Sequence, residues 1–93
     1  MAVTVWIPAP LRPLTENKLS VVLDADSLRA LIDEMERRYP GFAEWVCASD
    51  GQIRRYVNVY VNDEDARLLQ GVDTPLKDGD EVSIVPAIAG GRA

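Results

Sequence analysis

One stretch of this chain repeats its apolar residues at helical spacing. Leu28, Leu31, Ile32, Met35 and Tyr39 make a single stripe. Asp26 or Ser27 is placed to cap it, because a short side-chain oxygen accepts a free backbone N–H, and Pro40-Gly41 stops it. The other apolar runs alternate with a period of two, the pattern of half-buried strands. They are Val3, Val5 and Ile7 around Thr4 and Trp6; Leu19, Val21 and Leu23; Tyr56 to Val61; and Val82 with Ile84 inside Glu81 to Pro86. One helix covers one face of a sheet and cannot shield two. The pattern therefore predicts an α+β domain in the order β-β-α-β-(β)-β. Its mixed sheet of four to five strands carries one main helix on one face, with the first and last strands side by side in the middle.

The connections follow from residue chemistry. Pro8, Pro10 and Pro13 end the first strand and make residues 8–17 a turn or loop. Phe42, Trp45 and Val46 are assigned to cover the helix end or the sheet edge. Asp50-Gly51 is a turn signal. Asn62-Asp63-Glu64-Asp65 breaks the third strand as a polar, solvated turn, and residues 66–70 are read as a short edge strand. Asp73-Thr74-Pro75-Leu76 drops Leu76 onto the core. Lys77-Asp78-Gly79-Asp80 turns tightly into the last strand.

Ninety-three residues fit one domain, taken as 1–86, with 87–93 a flexible C-terminal tail. The chain has no histidine, which excludes His-based acid–base chemistry and most zinc sites. Cys47 is the single cysteine, so no internal disulfide or cysteine-cluster metal site is available. A net charge of −5 without a basic stretch argues against nucleic acid and for a protein partner with a basic docking face. No apolar run is long enough for a membrane span and no leader-like segment opens the chain, so cytosolic residence is the expectation.

The tail carries the sharpest functional signal. Gly90-Gly91 follows the apolar run Val85-Pro86-Ala87-Ile88-Ala89 and precedes Arg92-Ala93. Glycine has no Cβ, so a glycine pair can thread a narrow passage. The plain reading is a loose terminus; the functional one is a handle that a partner's active site takes up. Ala87 to Gly91 reach ~17 Å when extended, and Ala87, Ile88 and Ala89 either continue the last strand or lead into such a site. Trp6 and Tyr60 oppose the aliphatic phase of their strands. They are placed on the open sheet face, where with Ile88 they form a candidate partner face; core packing is the alternative for most aromatic residues here. Cys47 reads as a small hydrophobe, with a sulfur relay as its rival role. Arg37-Arg38 and Arg54-Arg55 read as solvated charges.

Four pieces together resemble the ubiquitin-like sulfur-carrier family of the MoaD/ThiS kind: Tyr56 to Asp65, Thr74-Pro75-Leu76, Lys77 to Val82, and Ile84 to Gly91. Ile7-Pro8 and Leu11-Arg12-Pro13 look most like its CysO type. The resemblance implies the β-grasp fold and a carrier in place of a catalyst. It implies that an E1-like (MoeB/ThiF-type) adenylyltransferase uses ATP to adenylate the carboxylate of Gly91, with Ala89 and Gly90 threading the approach. Sulfur from a donor then displaces AMP and leaves a thiocarboxylate for a sulfur-accepting synthase, of cysteine, molybdopterin or natural-product type. The carrier itself binds no cofactor. The family pattern ends at the second glycine. The resemblance therefore implies that Arg92-Ala93 are removed between Gly91 and Arg92, as JAMM-type metallopeptidases do in similar systems; a carrier that has lost the function is the rival explanation. A ubiquitin-like modifier joined to target lysines through Gly91, and a plain interaction domain, are the rival readings.

Overall fold

The computed structural model describes residues 2–86. Its strands are β1 (Ala2–Trp6), β2 (Ser20–Asp24), β3 (Val57–Val61), β4 (Glu64–Asp65) and β5 (Glu81–Pro86); its helices are α1 (Leu28–Arg38) and α2 (Phe42–Val46). The sheet order is β2-β1-β5-β3-β4. β1 runs parallel to β5 and antiparallel to β2, while β3 runs antiparallel to both β5 and β4. The first and last strands are neighbours, and β5 is the middle strand of five. This matches the arrangement read from alternation and from the lone long helix.

Alternation sets the core. Val3, Val5, Val21, Leu23, Val57, Val59, Val61, Val82 and Ile84 are buried on one face, beneath Leu28, Leu31, Ile32 and Met35 of α1. Burying each such side chain stabilises the fold by about 1.5–3 kcal/mol before entropy is counted. Ser27 caps α1 by accepting from Ala30 N at 3.1 Å. Leu76 lies buried, as its turn predicts, and its amide donates to Asp26 O at 2.9 Å, fastening the turn to the start of the helix.

The structure corrects several details. A second helix stands at Phe42–Val46 and buries Phe42 and Val46. Its N-cap is Gly41, with φ 104°, which has no side chain to accept the free amides. Glu36 of α1 substitutes, accepting from Gly41 N at 3.1 Å and Ala43 N at 2.9 Å. That capping contact joins separate elements, so local pattern does not reveal it. The edge strand falls at Glu64–Asp65, inside the segment read as a polar turn. Residues 66–68, read as strand, instead form a 3-10 turn that Asp65 caps by accepting from Arg67 N at 2.9 Å. Leu19 shares the phase of Val21 but is 60% exposed; it lies just before β2, which is an edge strand of the sheet. Arg37 and Arg38 are exposed, as read, and both donate to the Glu34 carboxylate.

Candidate functional site

Functional geometry centres on β5 and the end where it stops. Trp6 of β1 and Tyr60 of β3 both pair with Ser83 of β5, one from each side. Side chains alternate across a strand, so the two aromatic residues share the face that α1 leaves uncovered, with small Ser83 between them in the register. Trp6 is 44% exposed and donates its indole Nε1–H to Glu81 Oε1 at 3.0 Å. Val85, 43% exposed, follows two residues beyond Ser83 on the same face and pairs with Asn58. Val22 of β2 extends this open face toward the edge. The structure thus brings Trp6 and Tyr60 together as a row and adds Val85, which sequence reasoning missed although its place in the alternation was available.

The last described residue, Pro86, pairs with Val57 at the start of β3. Arg67 holds this corner. Its guanidinium donates to Asn58 Oδ1 at 3.1 Å, to Val57 O at 2.7 Å and to Arg54 O at 2.6 Å. Nothing in the local sequence marks Arg67 for this role, because its acceptors lie nine to thirteen residues away. Beside it Arg55 sits over the Tyr56 ring, 5.9 Å from the centroid, and Arg54 Nε donates to Glu44 O at 2.8 Å. The tail positions Ile88, Ala89, Gly90, Gly91 and Arg92, on which the handle reading rests, lie outside the described residues.

Cys47 follows α2 and pairs with Ile53, the residue before Arg54. It lines a cavity of about 350 Å³ with Arg29, Ile32, Arg54 and Val72. Burial pushes its thiol up from the ordinary value, while Arg29 and Arg54 pull weakly the other way. A raised thiol is mostly protonated near neutral pH and is a poor nucleophile, so the small-hydrophobe reading of Cys47 fits its surroundings. Among the described residues no group of three His, Cys, Asp or Glu side chains is placed to hold a metal ion. None of their helices is long and apolar enough to cross a membrane.

A mixed sheet with a parallel central pair, one long helix on a single face and a C-terminal strand in the middle defines a ubiquitin-like β-grasp protein. Within that class the chain belongs to the ThiS family, which it matches over residues 5–91. It is 47% identical over 93 residues to the sulfur carrier protein CysO of Mycobacterium tuberculosis, covering 98% of this chain and 100% of the relative. The fold superposes on the Amycolatopsis orientalis BexX/CysO complex with a TM-score of 0.91 at 41% identity, covering 97% of this chain and 100% of the matched one. The crystal structure of Mycobacterium tuberculosis CysO gives a TM-score of 0.87 at 46% identity, over 91% and 98% of the two chains.

Proposed function

We propose that this chain is a sulfur carrier whose working group is the carboxylate of Gly91, freed by cleavage before Arg92. The observation that carries the reading is positional. The central strand β5 runs out at Pro86 on the rim of the sheet, and Gly90-Gly91 follow within five residues of chain. A carboxylate is a poor electrophile because its oxygen leaves badly. Adenylation by an E1-like enzyme with ATP makes a mixed anhydride and expels pyrophosphate; sulfur from a donor then attacks the acyl carbon and expels AMP. The product thiocarboxylate keeps nucleophilic sulfur on a protein handle until a synthase accepts it. None of these steps needs a side chain of the carrier, which agrees with the absence of histidine and the unactivated state of Cys47.

While Arg92-Ala93 remain attached, Gly91 presents an amide carbonyl and cannot attack ATP, so a JAMM-type peptidase acts first. Trp6, Tyr60 and Ile88 serve as the docking face for the adenylating enzyme. The CysO-type relatives favour a cysteine-synthase-type acceptor over molybdopterin or natural-product thioacid synthesis, and favour sulfur carriage over conjugation to lysines. ATP–pyrophosphate exchange with the cognate adenylyltransferase tests the reading. Chain ending at Gly91 supports exchange and chain ending at Ala93 does not; equal exchange by both removes the trimming step.

A further inference from the structure

The strand register sorts the charges along the sheet. β1 and β5 run parallel, so the end of β1, the start of β2 and the start of β3 share the rim at which β5 stops. Five cations gather there. Arg12 donates to Ile7 O at 3.2 Å, Lys18 lies just before β2, Arg54 and Arg55 lie just before β3, and Arg67 donates to Val57 O. Of the carboxylates nearby, Glu16 is paired with Lys18 at 3.6 Å, Glu36 is engaged by the α2 amides, and Glu44 and Asp33 line the cavity that Arg54 also lines. The opposite rim is acidic. Asp24 ends β2, Glu81 opens β5, Asp63 and Glu64 follow β3, and Asp78 accepts from Ala2 N at 2.8 Å; Lys77 stands among them.

A net charge of −5 taken as a whole points to a basic partner. The segregation points the other way for the end that matters. Covalent geometry keeps Gly91 within about 18 Å of Pro86, so whatever takes up Gly91 stands over the basic rim. Charges act over about 8 Å at physiological salt, so the near rim, not the distant acidic one, sets the field that such a partner meets. We infer that the protein receiving the tail carries an acidic collar facing Arg54, Arg55 and Arg12, and that this pair of charged surfaces orients the carrier tail-first. Arg54 and Arg55 make the contact; Arg67 is a positioning residue that holds their backbone through Arg54 O. The inference rests on the sulfur-carrier reading for the role of Gly91.

Two measurements test it on the full-length chain. In the first, the ¹⁵N-labelled protein is titrated with hexaglutamate at low salt. Amide shifts gathered at residues 12, 18, 54, 55 and 67, and lost in Arg54→Glu/Arg55→Glu, support the collar; shifts spread over the whole chain overturn it. In the second, association is followed by stopped flow with BexX of Amycolatopsis orientalis, which is in complex with a relative 41% identical to this chain. Steered association slows steeply as salt rises. The double reversal is expected to lower the association rate about tenfold at low salt, with Glu64→Lys/Asp78→Lys changing it far less. Association that is indifferent to Arg54→Glu/Arg55→Glu overturns the inference while a thiocarboxylate on Gly91 leaves the carrier reading standing. Where BexX does not associate, the glutamate titration decides alone.

Discussion

Trp6 and Glu81 are joined by a 3.0 Å hydrogen bond from the indole Nε1 to the carboxylate Oε1, running along the open face from β1 to the start of β5. The bond ties a half-exposed aromatic ring down on the one strand that leads to Gly91. An apolar ring held in place loses little entropy when a partner covers it. That makes Trp6, with Tyr60 across Ser83, the natural anchor of a docking face.

Trp6→Ala/Tyr60→Ala is predicted to weaken binding to the adenylating enzyme at least about tenfold, in the range of aromatic hot spots. Trp6→Phe, which keeps the ring and loses the donor, should cost less than about 1 kcal/mol of folding stability. Titration calorimetry and urea unfolding read the two effects separately. Wild-type affinity in the double variant would remove the open face from the docking account.

Arg67→Ala removes the guanidinium that holds Arg54 O, Val57 O and Asn58 Oδ1. Hydrogen bonds to a charged donor contribute about 1.5–3 kcal/mol each when well formed, less at an exposed site, so a net loss of ~1–2 kcal/mol is predicted by urea unfolding. Arg67→Lys should recover little of it, since an ammonium lacks the planar fork. Amide exchange should quicken first at residues 54–58. Unchanged stability together with unchanged exchange there would show that the corner holds without this latch.

Much of this architecture is legible along the chain. Alternation locates β1, β2, β3 and β5, and the stripe from Leu28 to Met35 locates α1, because each signal repeats within its own element. What escapes depends on residues distant in sequence. α2 is short, and its cap is supplied by Glu36 from another helix. β4 is a two-residue pairing imposed by the turn after β3, too brief for a period to show. Leu19 keeps the apolar phase of β2 but precedes that edge strand and stays exposed. The basic rim becomes visible once the register has brought Arg12, Arg54 and Arg67 to one end. Of the site itself, Trp6 and Tyr60 are readable from phase, and Gly90-Gly91 from composition; Arg67 is not readable at all.

Glu34 offers a test in pH. Its carboxyl is held below its ordinary 4.5, first by the hydrogen bond from Arg37 and then by that from Arg38. A carboxyl lowered by folding contributes stability above its unfolded-state value, and that contribution fades as pH falls through the folded-state value. Glu34→Gln should therefore lower the urea midpoint at neutral pH, and the gap to wild type should close below about pH 4. A gap that does not change with pH would mean that the Glu34–Arg37–Arg38 cluster adds nothing through its charge.

Gly91→Ala is predicted to leave unfolding unchanged and to slow adenylation of the trimmed chain at least about tenfold, since an added Cβ meets a passage suited to glycine. Pyrophosphate exchange gives the rate and circular dichroism the fold. Adenylation at the wild-type rate would show that the passage is wide.

The central claim is that Gly91 is exposed by cleavage and then carries sulfur. Intact-mass analysis of the protein purified from its own cells, under sulfur-replete and sulfur-limited growth, tests this most directly. The account predicts a species ending at Gly91, part of it with one oxygen exchanged for sulfur. A chain that keeps Arg92-Ala93 under every growth condition, with no sulfur-bearing form, would contradict it.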